Sequence, residues 1–485
     1  MSSPLARTGQ RARRAVTLCS VLVVAVVAAA GSTAAASGSP SKDAAAGTTT
    51  TGAGTKVKKV TVDAPGVTAT EIHVGSITSK TNPIGGLNGL LDEGIKAYFN
   101  VVNSKGGVWG RKLKLTSQRD DQTANNLTQT EAMLSQDDVY AVFEAAELFS
   151  GAKKLAAAGI PTFGWNINAE WAGPKNFFPN HAPICFGKTC SSLGRSLPWI
   201  VKQNHRHKVA FLAYSVPQSA DSATTGAATV KKFSKQIGAD VVYTDTSLAF
   251  GQLDFSAQVA QMKDKGVDFL MTSMDGNGDY AVAKEMQNQG ILDKVTFFHP
   301  NLYDADFVRK NAAVLEGGIV LVAILAAEQK PAPPALKEYL AYAKKHNMKV
   351  TEMTLQGWMA ARQMVDALKA TGPNFTWANL VKTWNKQTYY TNGGLNAPID
   401  WTYQHNDPSE SVANRSPFEC YNFVKIHNGK FVGIYNGGGS KPWLCFNGKK
   451  PDEWQTPANV SFAGKPVDIT ALAKPAAATG STTTG

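Results

Sequence analysis

The stretch from Glu71 to Gln122 constrains the fold more than any other part of the chain. It reads as a strand, a Gly- and Ser-rich turn, an amphipathic helix, a glycine turn and a second strand. Ile72, Val74, Ser76 and Ile77 make a short, mainly apolar run that ends in Thr78 and Ser79. That is the pattern of a buried parallel strand with polar groups at its carboxyl end. Leu87, Leu90, Leu91, Ile95, Tyr98, Phe99 and Val102 then recur at spacings near three and four, which gives a helix one apolar face. Gly106 and Gly107 supply the left-handed turn that ends it, and 112–119 returns as a strand. A strand, crossover helix and strand of this size form one right-handed unit of a parallel sheet.

The alternation continues. Helices are predicted at 123–135 and 149–158 and strands at 139–143 and 162–165, completing a first lobe over 71–188. Its last part, from Asn166 to Thr189, reads as an irregular crossing at a hinge. A second lobe over 189–312 restarts the pattern, with strands at 208–214, 240–243, 269–273 and 295–298 and helices at 191–203, 222–237, 255–265 and 279–289. A return to the first lobe over 313–415 carries a strand at 318–324 and helices at 334–346, 352–370 and 376–385. In a C-terminal hairpin and clamp over 416–450, two strands flank Asn428-Gly429, a strong hairpin signal. The fold class is α/β, with two similar lobes, each a parallel sheet flanked by helices, joined by a hinge.

Composition changes at both ends. Arg7, Arg11, Arg13 and Arg14 precede an apolar run from Ala15 to Ala30, and Ala34-Ala35-Ala36 offers small residues for cleavage, so 1–36 reads as an export signal. The run is too short and too rich in alanine to span a membrane. Residues 37–70 read as a flexible linker and 451–485 as a tail, largely disordered. The net charge of +12 falls to +8 without the four signal arginines (12 − 4), and the remaining Lys and Arg are scattered. They lack the basic and aromatic stripe that nucleic-acid binding needs, so no nucleic-acid partner is expected.

Four cysteines lie beyond the signal, and an even number outside the cytoplasm suggests disulfides. Local grouping pairs Cys185 with Cys190 and Cys420 with Cys445. Neither these cysteines nor the eight histidines have the spacing of metal ligands. No Gly-x-Ser-x-Gly elbow, phosphate loop or His-Glu-x-x-His is present, so the chain is not expected to be an enzyme or to carry a cofactor. Asp120-Asp121 reads as a capping pair rather than as paired catalytic acids.

Ile72-x-Val74-Gly75, then Phe99-Asn100-x-x-Asn103-x-x-Gly106-Gly107-x-x-Gly110-Arg111-x-x-x-Leu115, then Asp120-Asp121 resembles the type I solute-binding proteins of ABC importers, in the branched-chain amino acid and amide branch. The likeness runs from about Glu71 to Tyr435. It implies binding without chemistry: a monomer whose two lobes close on a small molecule and dock on a membrane permease. Lipoproteins of that family carry a cysteine just after the apolar run. Here Cys19 precedes most of the run and follows Leu18, so the protein is expected outside the cytoplasm, in the envelope or secreted, without a lipid tether at Cys19. A sensor or scavenger that has no transporter of its own is the alternative.

Ligands in open parallel sheets gather outside the carboxyl ends of the strands. That rule selects Thr78 and Ser79, Ala146 to Phe149, Trp165 and Asn166, Gln218, Asp275 and Asn277, and Asn301 and Tyr303. Relatives that bind amino acids place Ser and Thr where this chain has Ala146-Glu147-Leu148. They place an acid after a proline where this chain has Pro300-Asn301, and a Tyr-Gly pair where it has Gln218-Ser219. These departures point away from a standard branched-chain amino acid and towards an amide, amine or aromatic solute. Glu147 either faces the cleft or only favours a helix dipole. Asp275 either meets a cationic group or caps a helix. Any single aromatic here is more often a core residue than a ligand contact, and the set gains weight only together, at strand ends.

Overall fold

The computed structural model describes residues 60–83, 85–183, 185, 191, 193–472 and 474–475. The expected export signal, most of the linker, Cys190 and the end of the tail lie outside the described residues.

In the first lobe, β1 (Glu71–Thr78), α1 (Leu91–Ser104), β2 (Lys112–Asp120), α2 (Asn126–Gln136), β3 (Val142–Ala145), α3 (Ala152–Ala158), β4 (Thr162–Gly164) and β5 (Phe177–Pro179) follow one another. Their strands form a five-stranded sheet in the order β2-β1-β3-β4-β5, parallel throughout. β1 sits inside it, which is why Ile72, Val74 and Ile77 are fully buried. The helical spacing holds as well, since α1 buries Leu91, Ile95, Tyr98, Phe99 and Val102. Gly106 and Gly107 take φ of +102° and +81° after α1, a conformation that residues with a Cβ rarely adopt.

The second lobe comprises α4 (Ser196–Gln203), β6 (Lys208–Tyr214), α5 (Pro217–Lys232), α6 (Ser234–Ile237), β7 (Asp240–Leu248), α7 (Ser256–Lys265), β8 (Phe269–Ser273), α8 (Gly276–Asn288), β9 (Thr296–His299), α9 (Ala305–Lys310), α10 (Ala312–Leu315) and β10 (Ile319–Val322). Strands β7-β6-β8-β9-β10 are parallel neighbours. The chain then returns to the first lobe with α11 (Pro334–His346), α12 (Glu352–Thr371) and α13 (Trp377–Trp384). α12 lies against α1, with Tyr98 edge-on to Trp358 at a 5.0 Å centroid separation. Gly94 and Gly357 let the two backbones touch. A Cβ at Gly94 would lie 2.0 Å from the Thr354 carbonyl oxygen, and one at Gly357 2.0 Å from that of Leu91.

The C-terminal part adds β11 (Phe418–His427), β12 (Lys430–Ile434), β13 (Trp443–Asn447), β14 (Gln455–Thr456) and β15 (Ala458–Val460). β11 joins β10 antiparallel, so the second sheet runs β15-β13-β11-β10-β9-β8-β6-β7, with β12 also on β11. Asn428 and Gly429, at φ +51° and +67°, make the hairpin turn between β11 and β12.

Several expectations change here. β10 belongs to the second sheet, so the return to the first lobe starts after Val322 rather than at 313. The crossing expected to be irregular contains β5, a three-residue edge strand too short for a periodic signal. Cys420 and Cys445 are disulfide-bonded as expected, and Cys445 stands opposite Cys420 on β13, a strand that the sequence reading did not include. The tail keeps its order through Leu472, because β15 pairs with β13 and Val460, Phe462 and Ile469 are buried. The linker also gives way to structure by Val60. Arg111 donates to the Val60 and Thr68 carbonyls at 2.8 and 2.7 Å, and Val62 is buried. Asp120 and Asp121 hold turns instead of capping α2: Asp120 accepts from the backbone of Thr81 and Gln122, and Asp121 from Thr123.

Candidate functional site

In each parallel sheet the strand order reverses once beside the first strand of its lobe, between β1 and β3 and between β6 and β8. The carboxyl ends at both reversals open onto one cavity of about 930 Å³. From the first lobe it is lined by Gly85 to Asn88, Glu147, Leu148, Trp165 and Ile167. Tyr214, Val216, Gln218, Phe250, Ser273 to Asn277, and Asn301 to Asp304 form the facing wall.

The first wall is held by amides. Asn82 accepts from Gly86 N at 2.9 Å and donates to the Ser79 carbonyl at 2.9 Å, which shapes the loop before α1. Asn88 donates to the Ala145 carbonyl at 3.2 Å and to Glu147 Oε1 at 3.0 Å. Ser79 Oγ accepts from Glu147 N at 2.9 Å. Glu147 Oε2 has no partner among the described residues. Burial pushes the Glu147 carboxyl up to about 7, with the charges of Asp275 and Asp121 adding to the rise and the Asn88 hydrogen bond opposing it.

On the second wall Asp275 caps α8, accepting from Asn277 N at 2.8 Å, and its Oδ2 accepts the Tyr214 hydroxyl at 2.6 Å. Burial and the Asp275 charge raise the Tyr214 phenol, so it stays a donor. Beneath α8, His299 Nδ1 and Thr272 Oγ1 lie 2.8 and 2.5 Å from the Asp279 carboxylate, fixing β9 and β8 to the helix. Ser273 is buried on the cavity wall, and its hydroxyl has no partner among the described residues. The return helix contributes a third acid. The capping box of Thr351 and Thr354 starts α12 so that Glu352 reaches the cavity, where burial pushes its carboxyl up to about 7. His181, also on the wall, is pushed down to about 4 by burial and is neutral.

Gln218 joins the lobes. Pro217 opens α5, and the next side chain donates from Nε2 to the Glu147 carbonyl at 2.9 Å and to Asn168 Oδ1 at 3.2 Å. Asn168 is held in turn by its own donation to the Ala146 carbonyl at 3.1 Å.

The basic side chains on the cavity wall, Arg195, Lys232 and Arg415, form a separate cluster around Glu419 and Asp452. Arg195 donates to Glu419 and to the carbonyls of Asn447, Lys450 and Glu453, and Lys232 pairs with Asp452. No cation is among the groups that act on Glu147.

Of the residues singled out in the sequence, Glu147, Leu148, Trp165, Gln218, Asp275, Asn277, Asn301 and Tyr303 line the cavity. Thr78, Ser79 and Ala146 lie buried behind it, and Ser79 supports the Glu147 backbone. Asn166 is also buried and donates to the His181 carbonyl at 3.1 Å, bracing the crossing. Phe149 is a core residue, packed on Trp171 and Phe177 at centroid distances of 5.2 and 5.6 Å, because its side chain points to the helix side of the sheet. Asp275 combines both readings, a cap that also faces the cavity. Tyr303 presents its ring, while its hydroxyl donates to Glu328 at 2.5 Å. Asn88, Phe250 and Glu352 were missed. Tyr214, the last residue of β6, opens a strand-end loop that the same rule selects, whereas Asn88 stands well past the end of β1 and Glu352 comes from a helix far along the chain, where no local signal marks them.

Cys185 is among the wall residues, and its expected link cannot be followed because Cys190 lies outside the described residues. Among the described residues no three His, Cys, Asp or Glu side chains are grouped to hold a metal. No helix among them is long and apolar enough to cross a membrane.

Two lobes that present their strand reversals to one shared cavity define a hinged solute-binding protein. The chain belongs to the periplasmic binding protein family, whose model matches residues 71–430. Its relatives of known structure are type I binding proteins of ABC transporters, and as a member of this family the protein is a solute-binding protein rather than an enzyme. A fatty acid ABC transporter substrate-binding protein from Thermomonospora curvata is 18% identical, with 82% of this chain and 97% of that one covered at a TM-score of 0.62. The R. palustris solute binding protein in complex with benzoate is 15% identical over 75% and 95%, at 0.58. The branched-chain amino acid transporter substrate binding protein from Streptococcus pneumoniae, in complex with isoleucine, is 15% identical over 75% and 100%, at 0.59. No curated protein matches the sequence.

Proposed function

We propose that this protein, a monomer outside the cytoplasm, captures a small solute between its lobes and delivers it to an ABC permease, and that the solute is not a standard branched-chain amino acid. The observation that carries the reading is Glu147. It stands at the first lobe's strand reversal, facing the cavity, where a bound carboxylate would meet an acid instead of hydroxyl donors. A solute that touches both walls favours the closed arrangement, because only differential affinity shifts such an equilibrium. Solved relatives bind solutes as different as benzoate and isoleucine, so the shared fold leaves the ligand to the wall residues.

A thermal-shift screen of the purified chain with amino acids, amides, amines, aromatic acids and sugars tests this. A true ligand at a hundred times its dissociation constant stabilises by about 2.7 kcal/mol. The reading expects silence from leucine, isoleucine and valine and a shift from an amide, amine or aromatic solute. A shift with the branched-chain amino acids alone would overturn it.

A further inference from the structure

We propose that the solute is an organic amine whose ammonium group sits between the carboxylates of Glu147 and Asp275, with an apolar body against Leu148, Trp165, Val216 and Phe250. This deepens the solute-binding reading and rests on it. The two acids come from opposite lobes, each at its own strand reversal, and the Asp275 charge adds to the rise of the Glu147 carboxyl. An ammonium held by both joins the lobes through a charge that each needs.

The hydrogen-bond inventory leaves room for it. Glu147 Oε2 is unpartnered among the described residues, and Asp275 retains acceptor capacity beyond its cap and the Tyr214 hydroxyl. Beside Asp275 the buried Ser273 hydroxyl has no partner among the described residues, an independent sign that this end of the cavity is built to meet a polar group it does not itself supply. The basic side chains on the wall are already engaged around Glu419 and Asp452, so they do not answer the acids. Trp165 and Phe250 border the same space and suit both an apolar body and a neighbouring cation. Other titratable groups facing the cavity are Asp304, Glu352 and the neutral His181, and Asp121 acts on Glu147 from behind.

A proton exchange follows. With Glu147 near 7, the empty cleft holds a proton on this carboxyl at mildly acidic pH. When the ammonium enters, that proton leaves for solvent and the charge of the complex is unchanged. Affinity for an amine therefore rises with pH as Glu147 ionises, by about tenfold between pH 6 and pH 8.

The test uses three isosteric probes, 2-phenylethylamine, 2-phenylethanol and phenylacetate, titrated calorimetrically into the purified chain and into Glu147→Gln. The expected result is amine binding at least tenfold tighter than that of the alcohol or the acid. It should strengthen from pH 6 to pH 8 with proton release that depends on the buffer, and fall at least tenfold in Glu147→Gln at pH 8. That variant mimics the protonated side chain, so its fold is safeguarded, and Asp275→Asn gives a second reading with the helix cap retained. An alcohol or acid that binds as tightly as the amine, or an unchanged amine affinity in Glu147→Gln, overturns the inference and leaves the solute-binding reading standing. If neither these probes nor any class in the wider screen binds, both readings fall.

Discussion

Replacing Gln218 with alanine removes a side chain that bridges the lobes directly. Its amide nitrogen makes two donations, to the Glu147 carbonyl at 2.9 Å and to Asn168 Oδ1 at 3.2 Å. Each of these neutral hydrogen bonds contributes about 0.5–1 kcal/mol net, and the pair about 1–2. The closed arrangement then loses about 5- to 30-fold against the open one. Solution X-ray scattering of the unliganded protein reads this directly, since opening two lobes about a hinge raises the radius of gyration. Asn168→Ala removes one of the two acceptors and should give about half the free-energy change. Superimposable scattering curves for wild type and Gln218→Ala would refute the idea that this bridge biases the lobes.

Glu147 also links stability to pH. Its folded value of about 7 lies above the usual carboxyl range, so the folded state holds the proton longer than the unfolded chain and stability falls as pH rises from about 4.5 to 7. Glu147→Gln removes that loss. The variant's midpoint should rise relative to wild type between pH 5 and pH 8, by about 1–2 kcal/mol after allowing for partial exposure, and an equal difference at both pH values would count against it. Gly94→Ala forces a Cβ against the Thr354 carbonyl, so α1 and α12 must separate. A loss of about 2–4 kcal/mol in chemical denaturation is expected, and an unchanged midpoint would mean that the helices slide freely. Reducing the Cys420–Cys445 bond, which spans 25 residues, should cost about 3 kcal/mol by loop entropy, read as a lower melting temperature in dithiothreitol.

How far the sequence could be read depended on the length of the element. Strands 208–214 and 269–273 and helix 334–346 have the limits that their periodicity implied. Each has enough residues for a period to repeat, flanked by turn formers. β5 and β15 have three residues each and no period, and their backbone pairs exist only because a neighbouring strand offers an edge. The site divided along a similar line. Strand-end loops could be located because open parallel sheets put ligands there, and eight of the proposed residues line the cavity. Phe149 lay in such a loop but turned into the core, although the adjacent Leu148 lines the cavity, because neighbouring side chains of a loop leave the backbone in different directions.

The sequence by itself determined the α/β alternation, the two-lobed order and the acid at Glu147, because these depend on local period and residue identity. Tertiary structure alone decided that Glu147 and Asp275 line one cavity from opposite lobes, that Gln218 spans to Asn168 and that Glu352 arrives from α12. Those encounters depend on how two sheets face each other through chain crossings that carry little local signal. The same distance raises the Glu147 carboxyl, since burial and the opposed Asp275 charge arise only once the lobes meet.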